Sequence, residues 1–284
     1  MFDSLSRTLF GSTIGFFLAL SAVGCGGDDT GTGGGGSTST GGTGGATGGS
    51  GGATGGTGGA TGGTGGAVAP EFAALVRGTL FTADLAAAKT KHDEIASGGE
   101  PAAKAAGDIA HDVLLGTTLL GTVENQFVGI DRWTDGQAMS DFYMNPDLQA
   151  AFGQLFSAPP TLEAFQRQPT WHTWGDMDAG DTFDPYFFVV VRGKLKEADP
   201  AKAQAGHDAV ASGGEATVTA AGDVAHIVFT GLQDPQEFLA IDIWKSSDDM
   251  EAVYTNADFQ AAFGSLFEGQ PTLAVYRSTD WHQW

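Results

Sequence analysis

The stretch FLAIDIWKSSDDMEAVYTNADFQAAF, residues Phe238–Phe263, decides the fold that we predict for this chain. Its first seven residues are apolar except for Asp242, which is typical of a strand with two unlike faces. Ser246 and the acidic residues after it predict a helix N-terminus, and the helix then runs through Met250, Tyr254, Phe259 and Phe263. Side chains alternate along the strand, so one face carries Phe238, Ala240, Asp242 and Trp244, and the other carries Leu239, Ile241 and Ile243.

This pattern occurs twice. FVGIDRWTDGQAMSDFYMNPDLQAAF, residues Phe127–Phe152, matches it at a spacing of ~110 residues, which indicates a duplicated domain rather than a solenoid of short repeats. All six histidines and all six tryptophans fall into equivalent pairs. The histidine pairs are His92/His207, His111/His226 and His172/His282, and the tryptophan pairs are Trp133/Trp244, Trp171/Trp281 and Trp174/Trp284.

Each repeat predicts a strand, a helix, a two-stranded hairpin, a second helix and a last strand. In the second repeat, Gly213 and Gly214 interrupt the first helix, and the last strand runs from Pro271 to Trp284. This β-α-β-β-α-β order is that of a ferredoxin-like unit, whose helices cover one face of a four-stranded antiparallel sheet. The other face is too apolar to stay in water, so we expect an α+β fold in which two ferredoxin-like repeats pack sheet to sheet as one pseudo-symmetric barrel.

The N-terminal quarter predicts export and anchoring. Residues 1–24 resemble a secretory signal peptide, and the following Cys25 stands in a stretch that resembles the lipobox of bacterial lipoproteins. Cys25 is the only cysteine, so we expect it to be acylated and to hold the protein on the exported side of a bacterial membrane, with the outer membrane favoured. The alternative is a secreted protein with an incidental cysteine. Residues 25–69, almost entirely Gly, Thr, Ser and Ala, predict a flexible tether.

The folded part is acidic throughout. We place repeat 1 at residues 70–175, an acidic linker at 176–185 and repeat 2 at 186–284. The chain has 34 acidic and 13 basic side chains, and its net charge of −21 argues against a nucleic-acid partner or an anionic lipid surface. The linker resembles a calcium loop only loosely, because it lacks the closing glutamate. The histidines lack metal-ligand spacing and the sequence contains no phosphate loop or dinucleotide fingerprint, so we expect no metal and no cofactor.

Both strand–helix patterns resemble the dimeric α/β-barrel superfamily, and in particular antibiotic-biosynthesis-monooxygenase-like (ABM) domains. In that family a third strand ends on tryptophan, an acidic helix start follows, and an aromatic-ended helix closes on phenylalanine, as Trp244 and Phe263 do here. The resemblance covers both repeats and implies a barrel of two such domains. Members of the family include cofactor-free oxygenases, haem-degrading enzymes, lactone isomerases and proteins with no known activity. Phe152 and Phe263 stand where the haem-degrading branch is expected to place a histidine, so this sequence departs from that branch.

A polar set on the sheet is the first candidate site. Asp242 lies between aromatic side chains on one strand face, and a buried carboxylate without a partner is costly. We expect Arg192 and His226 to be its partners, with Trp244 as a wall of a ligand pocket. The equivalent residues in repeat 1 are Arg77, Asp131, His111 and Trp133. The alternative is an Arg–Asp ion pair with a structural role only.

Two further histidines complete the candidates for catalysis. His92 and His207 lie within predicted helices, and each is followed by an aspartate. Imidazole titrates near neutrality, so these residues either transfer protons or pack between helix and sheet. His111 and His226, on the second strand of each repeat, are the other two candidates for a catalytic role.

The W-H-x-W motif ends each repeat, at residues 171–174 and 281–284. Within a strand, its two indoles would share one face, and the imidazole of His172 or His282 would lie on the other. Trp171 and Trp281 are then either an aromatic clamp for a ligand or part of the hydrophobic core.

These features favour a lipid-anchored, exported protein that binds a small apolar or aromatic molecule in the barrel cavity, with one chain forming its own pseudo-dimer. The first alternative is a cofactor-independent monooxygenase- or isomerase-like enzyme. The second is a structural or interaction lipoprotein with a filled barrel. A cavity lined by Arg192, His226, Asp242 and Trp244 would favour binding or catalysis, whereas side chains packed solidly there would favour the structural role.

Overall fold

The computed structural model describes residues 71–180 and 186–284, and in these ranges both repeats have the same order of helices and strands. Repeat 1 consists of β1 (Phe72–Thr79), α1 (Leu85–Ala106), β2 (Asp108–Gly116), β3 (Gln126–Trp133), α2 (Gly136–Tyr143), α3 (Pro146–Gly153) and β4 (Thr161–Arg167). Repeat 2 consists of β5 (Phe187–Lys194), α4 (Pro200–Ala220), β6 (Asp223–Gly231), β7 (Glu237–Trp244), α5 (Ser247–Tyr254), α6 (Ala257–Gly264) and β8 (Thr272–Ser278). Short 3₁₀ helices lie at Leu119–Gly121 and Met177–Gly180.

The strands β1–β8 form one closed antiparallel barrel in the order β1-β3-β2-β8-β5-β7-β6-β4. Each repeat supplies four neighbouring strands, and the repeats join where β2 pairs with β8 and where β4 pairs with β6. These two junctions give the outer strands of each repeat a partner, so neither sheet keeps a free edge. The predicted α+β barrel of two ferredoxin-like repeats is confirmed.

Apolar side chains form a large cluster in the interior of the barrel. Inward-facing residues such as Leu75, Ile130 and Ile241 belong to one buried cluster, and Met177 from the segment between the repeats joins it. The opposite strand faces carry two further clusters that pack against the helices, with Phe127 in repeat 1 and Phe238 in repeat 2. The two pockets described below lie on the helix side of the strands and not within this interior cluster.

The helices differ from their predicted form in two ways. The first helix of each repeat continues through its paired glycines, and Gly213 and Gly214 lie inside α4 because a missing side chain weakens a helix without forbidding it. The second predicted helix is two helices in each repeat. Asn256 has an extended backbone and its side chain accepts hydrogen bonds from the amides of Asp258 and Phe259, so it ends α5 and starts α6.

The last strand of each repeat is shorter than predicted. β8 ends at Ser278 and β4 ends at Arg167, so the W-H-x-W motifs follow the strands instead of lying within them. Residues 1–70, with the predicted signal peptide, Cys25 and the tether, lie outside the described residues, as does part of the acidic linker. None of the helices in the described ranges has the length and apolar character needed to cross a membrane.

Candidate functional site

A small pocket lies between the helices and the sheet in each repeat. In repeat 2 its volume is about 50 Å³, and in repeat 1 it is about 30 Å³. Most of the surface is apolar, and it includes Phe259 and Phe263 of α6 and, in repeat 1, Phe142 and Phe152. Polar groups enter each pocket from the strand side: His226, Asp223 and Asp242 in repeat 2, and His111, Asp108 and Asp131 in repeat 1.

A row of four polar side chains forms the base of the pocket in repeat 1. His111 on β2 contacts the carboxylate of Asp131 on β3 through Nδ1, because the strand register places the two residues directly opposite each other. Its Nε2 lies 3.2 Å from Nε2 of His92 on α1. The Nδ1 of His92 in turn lies 3.1 Å from Oδ1 of Asp93, which is half-buried at the surface. The row therefore connects the buried pocket to the protein surface.

The same row occurs in repeat 2. Nδ1 of His226 lies 2.5 Å from Asp242, and the Nε2 atoms of His226 and His207 are 3.1 Å apart. Nδ1 of His207 lies 3.1 Å from Oδ1 of Asp208. In this repeat the hydroxyl of Tyr254 on α5 also donates to Asp242. Both rows are buried apart from their terminal aspartates, so their hydrogen bonds are worth more here than in water.

A second carboxylate lies beside each row. Burial, followed by repulsion from Asp131, raises the pKa of Asp108 to about 7. Burial and repulsion from Asp242 raise the pKa of Asp223 to about 9. A carboxyl group with a pKa near neutrality can both accept and donate a proton, which is the property needed for general acid–base catalysis.

The two histidines of one row differ in their affinity for a proton. Burial and the neighbouring His111 lower the pKa of His92 to about 4. Burial also opposes the charged form of His111, but the adjacent Asp131 and other carboxylates outweigh it, so the pKa of His111 is raised. In repeat 2, burial and His226 lower the pKa of His207 to about 4. The helix histidine is therefore neutral at pH 7 in both repeats.

The W-H-x-W motif of each repeat closes the pocket of the other repeat. Trp284 stacks on His111 with ring centroids 4.5 Å apart, and Trp174 stacks on His226 at 4.7 Å. The backbone supports this exchange, since the amide of His111 donates to the carbonyl of Trp284 over 2.9 Å and the amide of His226 donates to that of Trp174 over 2.9 Å. Each pocket is thus built from both repeats.

The other residues of the motif anchor it in place. The amide of His282 donates to Oδ1 of Asp93 over 2.7 Å, and its ring contacts Glu100 at 2.9 Å. His172 makes the equivalent contacts with Asp208 and Glu215. Trp281 is buried with its ring centroid 5.2 Å from that of His92, and Trp171 lies 5.0 Å from His207. Trp171 and Trp281 therefore pack behind the histidines, and neither is among the residues that line the two pockets.

The two predicted arginines lie elsewhere, which corrects the proposed Arg–Asp–His set. Arg192 shares the interior face of β5 with Val190, whereas Asp242 faces the helices, so the barrel wall separates them. Arg192 and Arg77 both bind the carboxylate of Glu163, with Nη2 of Arg77 2.8 Å from Oε2. Trp244 does line the pocket of repeat 2, and Trp133 is buried in the equivalent layer of repeat 1.

Within the described residues, no group of three His, Cys, Asp or Glu side chains is arranged to hold a metal ion. The acidic linker has a different role in the part that is described. Asp178 forms an ion pair with Arg132 over 2.5 Å, and Met177 beside it is buried in the barrel core.

Sequence reasoning missed Asp108 and Asp223. Both follow a glycine with positive φ that ends the preceding helix, at +108° for Gly107 and +107° for Gly222, and such a glycine–aspartate pair resembles an ordinary turn. Their recurrence in the repeated AAGD segment was the available signal. Tyr143 and Tyr254, which also line the pockets, recur in the same way.

Comparison with known proteins agrees with this architecture. Residues 188–265 match the profile of the family described as "Antibiotic biosynthesis monooxygenase". The fold is that of an ABM-like dimeric α/β barrel. A solved structure from Fusobacterium nucleatum, described as a candidate monooxygenase, is 11% identical with a TM-score of 0.52 and covers 74% of this chain and 93% of its own. An anthrone oxidase-like protein is 18% identical with a TM-score of 0.52 and covers 75% of this chain and 92% of its own. No curated protein matches the chain in sequence.

Proposed function

We propose that each repeat binds a small apolar or aromatic molecule in its helix–sheet pocket and moves a proton to or from it. The observation that carries this proposal is the carboxyl group of Asp223, which lies in an apolar pocket with a pKa raised to about 9, and its counterpart Asp108 at about 7. A neighbouring carboxylate and an apolar wall keep this carboxyl group protonated near neutral pH, which is how acid–base sites hold a transferable proton.

A ring-sized ligand requires the pocket to widen. A cavity of roughly 150 Å³ accommodates benzene, whereas the pocket of repeat 2 is about 50 Å³. The α5–α6 pair is the element best suited to move, since it forms the pocket wall opposite the sheet and has a break at Asn256. Phe259 on α6 lines the pocket, so Phe259→Ala would enlarge it without touching the polar row.

The binding test uses the intrinsic fluorescence of the tryptophans beside each pocket. We expect planar aromatic molecules to shift the emission of the full chain, and Phe259→Ala to bind them more tightly because less work is needed to open the pocket. Flat titrations across a library of such molecules, in both proteins, would reject the binding proposal. If the wild-type pocket opens too rarely for binding to be detected, Phe259→Ala can still show it.

The proton-transfer test compares two aspartates. Asp223→Asn removes the titrating group of the pocket, whereas Asp248→Asn removes an exposed carboxylate on α5. We expect solvent deuterium to exchange into a bound ligand with an acidic C–H group, at a rate that falls about 100-fold or more in Asp223→Asn combined with Asp108→Asn. Asp248→Asn should leave the rate unchanged. Equal rates in all variants would assign the carboxylates a structural role.

A second candidate is cofactor-independent oxygenation, which the ABM match at residues 188–265 favours. Once the pocket has removed a proton from an activated CH₂ group, dioxygen can act as the oxidant, and CH₂ plus O₂ gives a carbonyl group plus water. An oxygen electrode distinguishes the two candidates. Ligand-dependent oxygen uptake supports oxygenation, whereas deuterium exchange without oxygen uptake restricts the activity to proton transfer.

For the N-terminal region we propose acylation of Cys25 and attachment to the exported side of a bacterial membrane. The signal-like residues 1–24 and the adjacent cysteine support this proposal. Expression with a labelled fatty acid, followed by membrane fractionation, tests it. The wild type should carry label and sediment with membranes, and Cys25→Ser should lose both properties. A Cys25→Ser chain that still fractionates with membranes would refute the anchoring.

A further inference from the structure

We infer that the histidine pair of repeat 1, His92 and His111, holds one proton more than two neutral imidazoles carry, and that this charged pair gives the two carboxylates of the pocket different roles. The catalytic meaning of this charge assignment rests on the proposed function. The protonation of the pair does not, because it follows from hydrogen-bond geometry alone.

The count of hydrogen bonds carries the inference. Three contacts run in a row: Asp131 to His111 Nδ1, His111 Nε2 to His92 Nε2 at 3.2 Å, and His92 Nδ1 to Asp93 Oδ1 at 3.1 Å. Each contact needs one hydrogen, and ionised carboxylates supply none. Two neutral imidazoles carry two hydrogens in total, but three are required. The row therefore binds a third proton, and one ring is an imidazolium.

The surroundings identify the charged ring as His111. Its pKa is raised by the carboxylates around it, whereas the pKa of His92 is lowered to about 4 by burial and by the charge of His111. A charged His111 donates at both nitrogens, and a neutral His92 then accepts at Nε2 and donates from Nδ1 to Asp93. The titratable groups around the pair are Asp93 on α1, Asp108 on β2, Asp131 on β3, Tyr143 on α2 and His282 after β8, and Asp112 acts on His111 from the other face of β2.

Trp284 acts as a positioning residue for this charge. Its indole face stacks on His111 at 4.5 Å with an angle of 26° between the rings, the arrangement that attracts a cation. It also covers the imidazole from the side of the opposite repeat, which keeps water away from the row. The positive charge on His111 is therefore enclosed by an indole and a carboxylate.

The consequence concerns the two carboxylates. Asp131 contacts the imidazolium of His111, and burial followed by repulsion from Asp131 raises the pKa of Asp108 to about 7. The contact with His111 occupies Asp131, and Asp108 is the group that exchanges a proton with a ligand. One buried proton thus distinguishes two side chains of the same chemical type.

Nuclear magnetic resonance of ¹⁵N-histidine-labelled full chain tests the inference without any ligand. At pH 7 we expect His111 to show two protonated ring nitrogens and His92 to show one, at Nδ1. Asp93→Asn removes the negative charge at the outer end, so the pH at which His111 loses its extra proton should fall by about one unit. The pair His207/His226 is an internal control, because it contacts Asp208 instead and should not respond.

His282→Gln is the matched control for the variant. It removes the side chain that contacts Glu100 but keeps the backbone amide that donates to Asp93, and so the titration of His111 should stay in place. A neutral His111 in the wild type at pH 7 would overturn the inference, whether or not Asp93→Asn folds. An imidazolium whose titration ignores Asp93→Asn would overturn the proton row. If the wild type shows the imidazolium signal but exchanges no proton with a bound ligand, the proposed function alone is wrong.

Discussion

The indole of Trp284 stacks on the imidazole of His111 at a centroid distance of 4.5 Å, although the two residues belong to different repeats. Trp174 makes the reciprocal contact with His226 at 4.7 Å. These reciprocal contacts explain why the W-H-x-W motif occurs twice, because each copy completes the pocket of the other repeat. Neither half of the chain contains a whole pocket by itself.

Replacing Trp284 should therefore disturb repeat 1 and not the repeat that contains it. Trp284→Leu removes the stacking on His111, which we expect to cost about 1–2 kcal/mol. Hydrogen exchange should become faster at the β2 amides around His111 and remain unchanged at the β6 amides around His226. Trp174→Leu should give the reverse pattern. Faster exchange within the residue's own repeat in both variants would contradict the crossed arrangement.

Asp223 should make the protein less stable as the pH rises. Its pKa is about 9 in the folded state, against roughly 3.9 for an unfolded carboxyl. Between these values the folded state holds a proton that the unfolded state has lost, so the free energy of unfolding falls as the pH rises, by at most about 1.4 kcal/mol per pH unit. Asp223→Asn should remove this slope in denaturant titrations between pH 5 and pH 9.

The equivalent change in repeat 1 serves as its control. The pKa of Asp108 is about 7, so Asp108→Asn should flatten the same curve only up to that pH.

His92 and His207 act in the opposite direction, since their pKa values of about 4 make the unfolded state the better proton acceptor and stability rises with pH from about 4 to 6.5. Identical curves for the wild type and both variants would show that the carboxylates are not buried acids.

Any side chain at Gly78 should destabilise the protein. A Cβ at this position would lie 2.4 Å from Cδ1 of Phe156, and this ring is buried. We expect Gly78→Ala to lower the free energy of unfolding by about 1–3 kcal/mol because the ring has to move. Adding Phe156→Leu should recover part of the loss in thermal or denaturant melts.

A glycine in an open position gives the contrasting result. A Cβ on Gly98, inside α1, would meet no atom within 4 Å. Gly98→Ala should therefore raise stability by about 0.5–1 kcal/mol, since alanine favours the helix. Destabilisation by both substitutions would show that the packing around Gly78 is not the cause.

Glu163 should contribute more to the stability of the fold than an ordinary strand residue. It is the shared carboxylate of Arg77 and Arg192, and burial followed by repulsion from Arg77 lowers the pKa of Arg192 to about 10. Glu163→Gln leaves two guanidinium groups facing each other, which we expect to cost about 1–3 kcal/mol, and part of the loss should be recovered in high salt. A loss that does not depend on salt would indicate packing rather than charge.

Much of the fold could be predicted from the sequence because the repeat doubles every signal. The strand around Asp242 and the helix start at Ser246 occur where the alternation and capping patterns put them. The break at Asn256 was missed since the apolar spacing continues across it, and only the cap geometry separates the two helices.

The types of residue in the site could be predicted from the sequence, but which of these residues lie together could not. Strand alternation placed Asp242 and Trp244 on one face, but it could not decide which face the helices cover, so Arg192 was joined to the wrong set. The meeting of His92 with His111 depends on how α1 lies across the sheet, and the meeting of Trp284 with His111 depends on the order of strands around the barrel. Both contacts depend on the tertiary structure, and no short stretch of sequence indicates them.

The shared glutamate also bears on how such a chain could be divided. At the position that corresponds to Glu163, repeat 2 has Ala274, which lies opposite Val190 and packs against the barrel core. Two separated copies of repeat 2 would therefore bring together a pair of guanidinium groups with no counter-charge, whereas a mixture of the separate halves would restore one. Expressed as separate fragments, repeat 2 should therefore pair with repeat 1 rather than with itself, and the duplicated halves would form a heterodimer.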